Sequence, residues 1–106
     1  MRLTTEQVNL IHNAVTQLFG EQARVWLFGS RCDDHKKGGD IDLLIQANIV
    51  DIMQAMRLKI QLLMLLEQRL GEQKVDILLQ MPEDNRPIIQ IAQETGILLS
   101  TTRHLS

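Results

Sequence analysis

Two acidic residues stand where packing alone does not explain them. Asp40 and Asp42 flank Ile41 and open the run Asp40-Ile41-Asp42-Leu43-Leu44-Ile45, whose other members have the branched, apolar character of a buried β-strand. Strand side chains alternate, so Asp40 and Asp42 share one surface while Ile41, Leu43 and Ile45 face the opposite, apolar one. Two like charges about 7 Å apart along one strand repel and resist losing water. A divalent cation would compensate them. Mg²⁺ suits an open Asp-x-Asp edge, because it takes oxygen ligands, keeps waters and is commonly shared between one or two carboxylates and substrate phosphates.

A third acid is available. Asp76 interrupts the apolar run Lys74-Val75-Asp76-Ile77-Leu78-Leu79 just as Asp42 interrupts its own. Adjacent strands lie about 4.8 Å apart, so Asp76 can stand beside the pair and three carboxylates converge. Upstream, Gly29-Ser30 ends the β-type run Arg24-Val25-Trp26-Leu27-Phe28. A residue without Cβ lets backbone amides approach an anion, and a hydroxyl can donate beside them, which suits a phosphate. The glycine patterns of a P-loop and of a dinucleotide-binding turn are both missing, so a different phosphate chemistry is needed.

The elements that must position these residues follow from periodicity and capping. Thr4-x-x-Gln7 forms a capping-box pattern, after which Val8, Ile11, Val15 and Leu18 recur at helical spacing until Gly20, predicting a helix over residues 5–19. A strand over 24–28 leads into a polar loop, 31–39, and a second strand runs from Asp40 to about Gln46. Residues 49–70 read as a long helix, with Met53, Met56, Ile60, Leu63 and Leu70 near one buried stripe, Leu62, Leu65 and Leu66 widening it, and Gly71 past its end. Lys74 to Leu79 is a third strand. Acidic and Asn residues in the connection 81–85 suit a helix start before Pro87, and Ile88, Ile91 and Ala92 carry that helix to Gly96. Ile97-Leu98-Leu99 is a candidate edge strand, and the polar tail 100–106 is expected to be loosely held. The order predicts an α/β (α+β) fold: a small mixed sheet of three to four strands covered by helices, in one domain spanning 1–106.

Length and charge narrow the function classes. A chain of 106 residues builds one real core but no deep enclosed cavity, so a large substrate lies on an open face or is enclosed by a partner. With 11 Lys plus Arg against 13 Asp plus Glu, the net charge of −2 lacks the basic balance that drives binding to a phosphate backbone, so nucleic acid is not the default partner. The single Cys32 forms no internal disulfide, and Met1-Arg2-Leu3-Thr4-Thr5 leads into a polar helical pattern rather than a signal-peptide core. A reducing, cytoplasmic setting is expected. The stretch 49–70 is interrupted by Asp51, Arg57, Lys59, Glu67 and Arg69 and does not qualify as a membrane span.

Taken together, Leu27-Phe28-Gly29-Ser30, nine intervening residues and then Asp40-Ile41-Asp42-Leu43 resemble the signature of the DNA polymerase β-like nucleotidyltransferase superfamily, most closely its minimal nucleotidyltransferase (MNT) branch. Val75-Asp76-Ile77 occupies the place of that superfamily's third carboxylate, and the resemblance covers roughly residues 5–80. It implies the nucleotidyltransferase fold and a metal-dependent transfer of a nucleoside monophosphate, AMP from ATP, to an acceptor hydroxyl with pyrophosphate leaving. By matched positions, Gly29 and Ser30 hold the triphosphate, Asp40 and Asp42 ligate Mg²⁺, and Asp76 completes a second metal site and helps deprotonate the acceptor. The chain departs from many relatives at Arg31-Cys32-Asp33-Asp34, where a small-then-basic segment is usual, which leaves Arg31 as the phosphate-binding candidate there. In the minimal branch the missing substrate domain is replaced by a separate helical protein of the HEPN class, often the toxin of a toxin–antitoxin pair. The resemblance thus implies an antitoxin that adenylylates a tyrosine of a HEPN partner. Two alternatives stand beside it: a non-catalytic antitoxin that neutralises its partner by binding, and transfer onto a small molecule, which the lack of an enclosing domain disfavours.

Several other residues read more simply as structure. Lys36 and Lys37 suit a solvated loop tip, and Cys32 with His35 falls two ligands short of a zinc site. His12 reads as a surface or rim residue. Met53, Met56 and Met64 read as core filling, while Leu58, Leu62 and Leu65 are the candidates for an oligomer or partner face, because so small a domain has limited interior.

Overall fold

The computed structural model describes residues 3–29, 41–71 and 74–99. Its elements are α1 (Thr5–Phe19), β1 (Arg24–Phe28), β2 (Ile41–Gln46), α2 (Ile52–Leu70), β3 (Val75–Gln80), α3 (Pro87–Thr95) and β4 (Ile97–Leu99). Helix α1 starts where the sequence requires it. The Thr4 hydroxyl accepts from the Gln7 N–H at 3.1 Å and the Gln7 side chain accepts from the Thr4 N–H at 2.9 Å, so two otherwise orphaned donors are satisfied reciprocally. At the other end Gly20, at φ +100°, donates to the Thr16 carbonyl and stops the helix.

Helix α2 begins three residues later than expected. The Asp51 carboxylate accepts from the Met53 N–H at 3.0 Å and caps it, leaving Ile49 and Val50 in the preceding connection. Helix α3 is also started differently. Pro87 opens it, but no side chain caps it, and Asp84 is instead committed to Arg86.

The four strands form one sheet in the order β3-β2-β1-β4, with β2 and β3 parallel and the other two pairings antiparallel. Helix α2 is the crossover that parallel neighbours require. On one face α1 and α2 bury Val25, Leu27, Ile41, Leu43, Ile45, Val75 and Ile77 against Val8, Ile11, Val15, Leu62 and Leu66. On the other face α3 seals Leu44 under Ile89 and Ala92, with Trp26, Phe28 and Leu78 packed around them. Burial of both faces at the centre of β2 explains why Leu43-Leu44-Ile45 is continuously apolar rather than alternating.

The structure corrects the phase of α2. Met53, Met56, Ile60 and Met64 are exposed, and the inner face of α2 is Ala55, Leu62 and Leu66, with Leu63, Leu65 and Leu70 partly buried against the core. The methionines are therefore not core filling. Leu62 is fully buried and Leu58 and Leu65 are half-buried, so these three do not form an outward face. At about 100° per residue, Ile60 and Met64 stand nearly opposite Leu62. In α3, Ile89 and Ala92 point inward while Ile88 and Ile91 are exposed. Among the described residues, no helix is long and apolar enough to cross a membrane.

Candidate active site

Register brings the acids together. The parallel ladder pairs Asp42 with Asp76, and the antiparallel ladder pairs Phe28 with Asp42. Residues paired across neighbouring strands face the same side, so Phe28, Asp42 and Asp76 form a row across three strands on the face that carries α3. The row lies at the end of the sheet where β1 stops and β2 and β3 begin. Two residues further along β2, Leu44 is sealed beneath α3, so the carboxylates stand at the margin of the covered ground. Asp42 is half-buried there and Asp76, on an edge strand, is exposed.

Gly29 leaves β1 at φ +80°, and a Cβ built on it would collide with the Oδ2 of Asp42 and stand 3.1 Å from its Cγ. The glycine is thus required twice, for its left-handed backbone and for the room it gives the carboxylate. Helix α3 ends at Gly96, where an added Cβ would stand 2.8 Å from the Leu27 carbonyl and 3.1 Å from the Phe28 Cβ. Its carbonyl end therefore approaches the same end of the sheet at Phe28, the residue paired with Asp42, and brings partial negative charge to that end. The arrangement favours a cation.

Asp42 and Asp76 are brought together as expected, and Gly29 joins them. Asp40, Ser30 and Arg31, together with Cys32, His35, Lys36 and Lys37, lie outside the described residues. Among the described residues no three His, Cys, Asp or Glu side chains stand close enough to hold a metal ion. What the structure offers is two hard oxygen donors side by side, which fits a cation shared with a phosphate-bearing ligand and not an all-protein cage. Sequence reasoning gave Phe28 no role. Its place at the end of the apolar run, directly before Gly29 and two residues after Trp26, was the available signal, and it supplies the apolar flank of the row.

Other features lie elsewhere. His12 is half-buried in α1, on the opposite side of the sheet, and its Nδ1 is buried without a hydrogen-bond partner. A hollow of about 480 Å³ lies at the far end of the sheet, between the segments 19–23, 46–48 and 80–83, and does not reach Asp42 or Asp76. Near α3, the Arg86 guanidinium donates to Asp84 at 2.9 and 3.0 Å and to the Leu79 carbonyl at 3.0 Å. That hydrogen-bonded ion pair holds the Asp84 carboxyl below the usual carboxylate range and raises the Arg86 guanidinium above its own.

No curated protein matches this sequence. The model of the nucleotidyltransferase domain family matches residues 8–99, a span that holds all four strands, α2, α3 and most of α1, together with Gly29, Asp42 and Asp76. By that match the chain belongs to the nucleotidyltransferase domain family.

Proposed function

We propose that the chain moves a nucleoside monophosphate, AMP from ATP, onto a hydroxyl presented by a partner protein, in a reaction that depends on Mg²⁺. The observation that carries this reading is the register pair Asp42–Asp76, set on one face with Gly29 against the Asp42 carboxylate. Asp40, Asp42 and Asp76 would hold Mg²⁺, in a two-metal site, and Gly29, Ser30 and Arg31 would contact the triphosphate. Bound there, the cation neutralises charge on the departing pyrophosphate and favours an in-line displacement.

The chain's own residues do the rest. Gly29 leaves the room that the Asp42 carboxylate occupies, so that donor can keep its place before substrate arrives. Asp76, exposed on the edge strand, faces the side from which an acceptor approaches. It takes the hydroxyl proton as the acceptor oxygen bonds to the α-phosphorus, while the bond from that phosphorus to the bridging oxygen breaks and pyrophosphate leaves. An acceptor that arrives on an open margin suits a side chain carried by another protein, and the sequence resemblance favours a tyrosine of a HEPN-type helical partner. The pairing would make the chain an antitoxin.

Incubation with α-labelled ATP, Mg²⁺ and the protein encoded by the adjacent gene tests the reading. Label should move to a tyrosine of that protein, and Asp42→Asn should lower the rate at least a hundredfold. Undiminished transfer by the Asp42→Asn/Asp76→Asn double variant overturns it. Silencing of the partner by that variant without transfer would establish binding alone as the function.

A further inference from the structure

Lys74 directly precedes β3, and its carbonyl accepts from the Ile41 N–H at 2.8 Å, so the ladder between β2 and β3 already holds its backbone. The next residue, Val75, is buried in the core beneath α1 and α2. Side chains alternate along an extended chain, so Lys74 stands with Asp76 on the opposite face, where Asp42 is the cross-strand neighbour of Asp76. Two residues of strand span about 7 Å, which the four-carbon stem of a lysine can cross. Lys74 is exposed at that margin. From this placement we infer that Lys74 binds a non-bridging oxygen of the nucleotide's α-phosphate, which rests on the nucleotidyl transfer proposed above and adds a substrate-positioning residue to it.

Among the described residues the other cations lie elsewhere. Arg24 is paired with Gln46 and Arg86 reaches the Leu79 carbonyl, both at the far end of the sheet. Arg57, Lys59 and Arg69 belong to α2, behind the apolar face. Lys74 is thus the described cation on the acids' side of this margin. Asp42, Asp76 and the carbonyl end of α3 make the margin negative, which repels a phosphate. An ammonium on the same face offsets that repulsion. Its hydrogen bond strengthens as charge spreads over the equatorial oxygens of the phosphorus under attack.

The order of the strands assigns the α-phosphate to Lys74. Gly29 leaves β1, Asp42 is on β2, and Asp76 with Lys74 is on the β3 side, about 10 Å across the sheet from Gly29. An acceptor that approaches the exposed Asp76 attacks the α-phosphorus, so that phosphorus lies on the β3 side. The β- and γ-phosphates then run back across β2 toward the Gly29 turn. Gly29 and Lys74 therefore serve opposite ends of one triphosphate.

Calorimetric titration of the full chain with AMP, ATP and pyrophosphate, each with Mg²⁺, is the test, with circular dichroism confirming that each variant is folded. Lys74→Met should weaken AMP and ATP at least about tenfold, as expected for a lost charge-assisted hydrogen bond, and leave pyrophosphate within about twofold. Lys74→Arg keeps the charge and should recover most of the loss. Arg69→Met removes a cation from the last turn of α2, on the other side of the sheet, and should change none of the three affinities. In the transfer assay Lys74→Met should lower kcat as well as raise the KM for ATP, because the contact strengthens in the transition state. Unchanged AMP binding by Lys74→Met overturns the inference, as does an equal loss for pyrophosphate or an equal loss in Arg69→Met. A parent that binds AMP and ATP through Lys74 but transfers nothing supports the inference and overturns the proposed reaction. A parent that binds no nucleotide overturns both.

Discussion

Gly29 lies directly against the carboxylate of Asp42, and its backbone there has φ +80°. A methyl group at this position meets two separate penalties. The left-handed backbone costs an L-residue about 1–2 kcal/mol, and the carboxylate must move aside. Gly71 separates the two, because it has φ +84° with nothing within 4 Å of an added Cβ. Gly71→Ala should lose stability to urea while keeping full nucleotidyl transfer. Gly29→Ala should lose at least as much stability and also at least tenfold in transfer rate. Equal activities of the two variants would detach the Asp42 position from the reaction.

The pairing of Asp42 with Asp76 predicts a stability effect whose sign depends on the cation. Like charges directly opposite on neighbouring strands destabilise a sheet by roughly 0.2–1 kcal/mol. In chelator, Asp76→Asn should therefore melt slightly higher than the parent. With Mg²⁺ and a nucleoside triphosphate the order should reverse, since ligand binding stabilises the parent through a donor the variant has lost. Thermal melts in the two buffers check this, and an Asp76→Asn variant that gains as much from the ligands as the parent does would remove Asp76 from the donor set.

The acids and the strands were legible because their signals are local. A capping box fixed the start of α1, and Asp42 and Asp76 each break an apolar run at a position where period-two alternation decides the face. Parallel pairing of β2 with β3 needed only a helix between them. The phase of α2 was not legible. Its apolar residues form two stripes at helical spacing, Met53-Met56-Ile60-Met64 and Ala55-Leu62-Leu66, and composition favours the first because Ala55 is small. Packing against α1 and β3 selected the second, where a small residue permits close approach. The short spacing of Ile88, Ile89, Ile91 and Ala92 likewise leaves the inward face of α3 open, and packing turns Ile89 and Ala92 to the sheet.

That phase can be measured. Leu62 is fully buried, so Leu62→Ala should cost about 2–5 kcal/mol in urea unfolding. Met64 lies on the opposite side of α2, and Met64→Ala should stay within about 0.5 kcal/mol. Ile89→Ala and Ile91→Ala form the corresponding pair on α3, with only the first expected to be costly. Similar costs for Leu62→Ala and Met64→Ala would contradict the observed rotation of α2.

Arg86 predicts a pH dependence of stability with a definite sign. It depresses the Asp84 carboxyl below its ordinary value of 3.8. A carboxyl whose folded pKa is lowered stabilises the fold above the unfolded value and stops doing so as pH falls through the folded one. The guanidinium is shifted upward, so its own share is lost only in strong alkali and does not enter the acidic limb. Arg86→Gln removes the charge that holds the carboxyl down. The urea midpoints of parent and variant should therefore differ above about pH 4 and draw together toward about pH 2. Arg86 is exposed and Asp84 only half-buried, so the gap should be small and should shrink further in salt. Arg86 also donates to the Leu79 carbonyl, a contact that does not titrate in this range. A gap that persists unchanged to acid pH would mean that Arg86 stabilises the fold through that carbonyl and not through Asp84.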